Sequence, residues 1–151
     1  MFDASSFLDM TIEGENSTVA IPAPAGEFPA MVDKVDLRQW TKKDDPSVSG
    51  LTLEVFWAIE DQGVKDLLGR DKVLVKQGIM LDITESGGLD MGKGRNVGLG
   101  RLRAALNLND PSRAFSFQQL PGQMGKVTVT HRVDKDDSEK VYPEVKSVVR
   151  M

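Results

Sequence analysis

Four positive charges, Lys93, Arg95, Arg101 and Arg103, fall inside the stretch "GLDMGKGRNVGLGRLRAALNLND" (Gly88 to Asp110), and no acid stands between Asp90 and Asp110. The chemistry such a run can do is anion binding. Glycines let backbone N–H groups come close to phosphate oxygens. Asn96, at the start of a short helical pattern, would bring the positive end of the helix dipole to the same place. Two readings stand. In one, the glycines make a loop and the arginines are the solvated face of a helix. In the other, Lys93 and Arg95 grip phosphates from the loop, while Arg101 and Arg103 extend the positive surface. The absence of carboxylates favours the second reading.

Charge alone does not hold a nucleic acid base; rings do, by stacking. Trp40, Phe56, Phe115, Phe117 and Tyr142 are the candidates, and Trp57 falls on an apolar strand face and reads as core. Phe56 is the most pointed, since the other face of its strand already supplies the core. It could equally serve a hydrophobic contact under a loop or at a dimer interface. Phe115 and Phe117 flank a serine in a loop, one suited to plug the barrel end and the other to stay free. Tyr142 before Pro143 fits a base platform or an edge contact. Lys126, Arg132 and Lys146 alternate outward on two late strands and make a basic stripe feasible. His131 lies on the apolar phase and reads as a buried, hydrogen-bonded histidine, not a catalyst.

Other chemistry is poorly supplied. The chain has no cysteine and a single histidine, which excludes thiolate catalysis and sulfur-held metals and leaves little from which to build a histidine triad. No phosphate-loop, dinucleotide, zinc-protease, serine-hydrolase or calcium-loop motif is present. Asp44–Asp45 and Asp136–Asp137 fall in turn sequences and read as solvated. No enzyme, metal or cofactor is expected; a nuclease ranks last.

These residues need elements to position them. The chain has 151 residues, 40% hydrophobic and 28% charged, with a formal net charge of −4, an ordinary globular composition for one domain. Net acidity argues against coating nucleic acid through bulk charge, but screening beyond about 10 Å leaves a local basic groove free to act. Neither a membrane span nor a signal peptide is expected. Residues 1–20 read as a polar arm and 21–151 as the domain. Within "IPAPAGEFPAMVDKVDLRQW" (Ile21 to Trp40) the apolar phase shifts after Val32, the mark of a bulge or of strong coiling. "LTLEVFWAIED" (Leu51 to Asp61) alternates cleanly. "QGVKDLLGRD" reads as a connector with a helical turn. Strands follow at Lys72–Thr84, Met124–Asp136 and Val141–Met151, with a helix over Val97–Leu106. Three strands, one helix and two strands is the order of a five-stranded Greek-key barrel with its helix between the third and fourth strands, an OB-fold-like domain that is mostly β. An open antiparallel sheet packed by one helix is the alternative.

The pieces "PAGEFPAMVDKVDL", "LTLEVFWAIED", "RNVGLGRLRAALNLN", "LPGQMGKVTVTHRV" and "YPEVKSVV" together resemble a family of small single-stranded-DNA-binding proteins of bacteriophages. The resemblance spans residues 20–150. It implies an OB-fold that protects single strands during phage DNA replication or recombination in the host-cell cytoplasm. The partners it implies are single-stranded DNA, further copies of the chain in a dimer or larger homo-oligomer, and phage replication or recombination proteins. The DNA-contacting residues would be Lys93, Arg95, Arg101, Arg103, Lys126, Arg132, Lys146, Trp40, Phe56 and Tyr142. The competing reading is a phage structural or adaptor protein that uses the β-domain for assembly.

Overall fold

The computed structural model describes residues 3–151. Five strands form it: β1 (Gly26–Thr41), β2 (Ser49–Ile59), β3 (Leu74–Leu81), β4 (Met124–Val133) and β5 (Val141–Val149). They close into a barrel in the order β1-β2-β3-β5-β4, with β1 also paired to β4. The expected closed, mostly β barrel is therefore present, and the open-sheet alternative is overturned. Helix α1 (Gln62–Leu68) follows β2, and helix α2 (Val97–Ala105) follows β3. Two short 3-10 turns, Ala4–Asp9 and Phe117–Gln119, complete the elements.

Local chemistry explains these choices. Alternation in β2 sends Leu53, Val55, Trp57 and Ile59 inward, each at most 1% exposed. β1 is long and serves both β2 and β4, so it must coil. Its register breaks between Val32 and Lys34. Before the break Ala30 and Val32 point inward. After it Val35 and Leu37 take the inner phase, and Lys34, Arg38 and Trp40 face out. What read as a connector after β2 contains a formed helix. Asp61 caps α1 by accepting from the Val64 N–H at 2.9 Å, and Gly69 ends it in the left-handed region at φ 64°.

The core runs through the barrel and out of one end, where Leu99, Leu102 and Leu106 of the α2 segment join Leu120. Trp57 is fully buried, and its indole Nε1 donates to Gln77 Oε1 at 2.9 Å, so the one polar atom of the ring is satisfied inside the barrel. Backbone passes close to this packing at Gly125. A Cβ there would lie 2.8 Å from Val148 Cγ1 and 3.5 Å from both Leu106 and Trp57.

The barrel's last seam is thin. β3 and β5 run parallel and share the single register pair Lys76↔Glu144. Beyond that pair the strands part, and α2 packs against both.

Three expectations need correction. His131 is exposed, because β4 outruns the core there; its Nε2 lies 2.7 Å from the Ala23 carbonyl, so the expected hydrogen bond exists without burial. Neither Phe115 nor Phe117 is free: both are half-buried against the core, edge to face with centroids 5.9 Å apart. Asn96 sits at the start of α2 but makes no side-chain cap there.

Candidate nucleic-acid interface

The outer face of β1, β2 and β3, continued by the start of β5, gathers three of the rings read from the sequence. Register explains it. Lys34 opposes Phe56, Phe56 opposes Lys76, and Trp40 opposes Gly50 across neighbouring strands, all pointing away from the core. A groove of about 580 Å³ lies over this face, and Phe56, Tyr142, Lys34, Arg38, Lys76 and Arg132 line it. A second hollow, lined by Trp40, Arg38, Thr52, Gly78 and Met80, adjoins it and shares Arg38, Thr52 and Gly78. Trp40 and Tyr142 therefore mark the two ends of one face. The first stands beside the β1–β2 hairpin loop, the second beside the β4–β5 turn.

Each ring is fixed by its surroundings. The Trp40 indole lies against Gly50 so closely that a Cβ on that glycine would sit 2.5 Å from Cζ2. Any side chain at position 50 would have to displace the indole. Phe56 is half-buried, with Lys34 Nζ 4.8 Å from its centroid. Tyr142 has the Arg132 guanidinium 5.3 Å from its centroid. Its hydroxyl donates to Asp134 Oδ2 at 3.2 Å. That bond, more than any other influence, raises the Tyr142 phenol above the ordinary tyrosine value. The Asp134 carboxyl is held below the usual aspartate value, first of all by the Asp136 backbone N–H.

Charge on the face is mixed but positive. Four cations, Lys34, Arg38, Lys76 and Arg132, line the main groove against two carboxylates, Glu54 and Glu144. Glu54 is 8% exposed and points outward from the middle of β2. Lys76 Nζ lies 2.9 Å and Arg38 Nε 3.6 Å from its Oε2. One nearly covered carboxylate thus orders two cations whose side chains remain more than half exposed. Lys34, Arg38 and Lys76 were missed in the sequence. The phase shift in β1 and the alternation of β3 were the signals that place all three outward.

The remaining predicted residues divide. Arg101 and Lys146 line a trough of about 620 Å³ between α2, β3 and β5, together with Arg150. Arg95 and Arg103 line a neighbouring hollow with Asp90 and Asn109, and Arg101 and Ala104 border both that hollow and the trough. There Arg103 Nε donates to the Leu108 carbonyl at 3.1 Å and its guanidinium sits 4.4 Å from the Phe115 centroid, so it ties down the end of the helix. Arg95 lies 3.8 Å from Asp90. Lys93 is exposed in the loop and lines none of these hollows. Lys126 lies on the β1–β4 side, 3.3 Å from Glu27.

Asn96 ties the glycine loop to the end of β3. It sits at φ 53°, and its N–H donates to Asp82 Oδ2 at 2.7 Å. Its side chain accepts from the Asp82 N–H at 2.8 Å and donates to the Asp82 and Asp90 carbonyls at 2.9 Å each. The chain's own Asp82 carboxylate already stands at the start of α2, and the loop is pinned to the end of β3.

No protein-family model matches the chain, and no curated protein matches it either. Function is therefore argued from the face itself. Among the described residues no group of three or more His, Asp or Glu side chains is placed to hold a metal ion, and no helix is long and apolar enough to cross a membrane.

Proposed function

We propose that the domain is an OB-fold that binds single-stranded DNA without sequence preference, across the outer face of β1, β2 and β3. The observation that carries this reading is the alternation of ring and cation on one face: Lys34 over the Phe56 ring and Arg132 over the Tyr142 ring, two exposed cations that an arriving base would displace from the ring face toward its own phosphate, with Trp40 at the far end. A nucleotide presents a flat base followed by a charged phosphate. A ring paired with a mobile cation matches that unit and is indifferent to which base arrives. The strand order of the barrel supports the OB-fold reading, and in that fold the β2–β3 face and the β1–β2 and β4–β5 loops are the usual binding region. The resemblance to phage single-strand-binding proteins extends the proposal to protection of strands during phage replication or recombination in the host-cell cytoplasm.

Fluorescence anisotropy of a labelled poly-dT oligonucleotide at two salt concentrations tests it. Binding should weaken with salt, with log affinity falling by about 0.7 per phosphate contact against log salt. Phe56→Ala with Tyr142→Ala should weaken binding by about tenfold or more, since each stacked base is worth about 1–3 kcal/mol. No anisotropy change at low salt ends the proposal. Light scattering that shows a large closed assembly indifferent to DNA would instead favour the assembly role.

A further inference from the structure

The trough between α2, β3 and β5 differs in kind from the sheet face. Three cations line it, Arg101, Lys146 and Arg150, with no carboxylate and no aromatic ring. All three side chains belong to exposed residues, and none takes part in an ion pair among the described residues. In a protein of net charge −4, three unpaired cations facing one hollow of about 620 Å³ mark a place built for an external anion. The fold opens it: β3 and β5 part after Lys76↔Glu144, and Gly98, Ala104 and Ala105 keep the facing side of α2 low.

The trough also joins the face. Gly78 lines the main groove, the Trp40 hollow and the trough alike, and Met80 lines two of the three. Gly78 points outward in β3, so at the junction bare backbone replaces a side chain and a ligand can pass close.

We infer that the trough is a phosphate-only track, which holds the sugar-phosphate backbone of the strand as it leaves the sheet face at Gly78 and ignores its bases. Rings are what recognise bases, and the trough has none; cations recognise phosphate whether or not a base is attached. The inference rests on the single-strand reading and adds to it a direction. One end of the bound strand lies on rings and the other on charge, so the two ends have different chemical requirements.

Half-abasic oligonucleotides separate the two. A dT oligonucleotide of one site length, set by stoichiometric titration, is compared with versions in which the 5′ half or the 3′ half carries sugar-phosphate without bases. One version should bind within about twofold of dT, and the other should lose tenfold or more. In Arg101→Ala/Lys146→Ala/Arg150→Ala the slope of log affinity against log salt should fall by about 2. Because the three side chains are exposed, the fold should persist, and circular dichroism checks it. Lys146→Ala/Arg150→Ala, which leaves α2 untouched, should show about two-thirds of that fall in slope. Equal losses from both half-abasic strands, or an unchanged slope in the variants, overturn the track and leave the sheet face standing. Failure of dT itself to bind overturns both.

Discussion

Tyr142 is the only tyrosine in the chain, so its ionisation can be read directly from the phenolate absorbance of the whole protein. Its hydroxyl donates to Asp134, and the hydrogen bond holds the proton on. Absorbance should therefore rise with a midpoint above that of free tyrosine, and Asp134→Asn should bring the midpoint back down. A wild-type midpoint at the ordinary value would refute the contact. The sign follows from the direction of the shift. The bond stabilises the fold at every pH below the unfolded tyrosine value and is lost as pH rises through the higher folded one. Asp134 works in the opposite sense. Its contribution is present above the ordinary aspartate value and fades as pH falls through the lower folded one. Between those limits the β4–β5 turn and the ring beside the groove are held together. Glu54 acts on the same face by ordering Lys76 and Arg38. A carboxylate in that position leaves the face with more cations than acids while holding two of them in place.

Elements decide which side chains can meet, and here the sequence was legible to different depths. Strand alternation in β2 and β3 names the core correctly, because a two-residue period leaves no choice of face. The bulge in β1 was readable from the shift after Val32, and with it the outward direction of Lys34 and Arg38. What could not be read was distance across the barrel. Arg101 and Arg103 are two residues apart on α2 and border one hollow together, yet only Arg101 also reaches the trough, while Arg103 is tied to Leu108 and Phe115. Only the docking of the helix separates them. The partner of Asn96 was hidden for a similar reason. Asp82, fourteen residues before Asn96, supplies the anion from within. Tight element packing yields its own prediction at Gly125. A methyl there meets Val148 at 2.8 Å in a strand that cannot move freely. Gly125→Ala should cost about 1–3 kcal/mol in urea melts. A neutral result would mean that β4 and β5 can separate at that point.

Over the whole molecule, charge is sorted along the chain. The first cation is Lys34, and Asp3, Asp9, Glu13, Glu15, Glu27 and Asp33 all precede it. Residues 3–18 are exposed throughout, and none of their acids lines the trough. An overall net charge of −4 thus coexists with locally positive grooves, since the sum does not fix the distribution. The cask is also unevenly hooped. Four of its joints are long antiparallel ladders, and the fifth is a lone rung between Lys76 and Glu144. When the sheet breathes it should part at that rung first, so deuterium uptake ought to begin at amides pointing into the β3–β5 gap, ahead of those between β1 and β2. Uniform protection around the circumference would contradict this. A polymer lying from Gly78 along Lys146 and Arg150 would lace the loose joint shut, and cargo would then serve as the missing hoop.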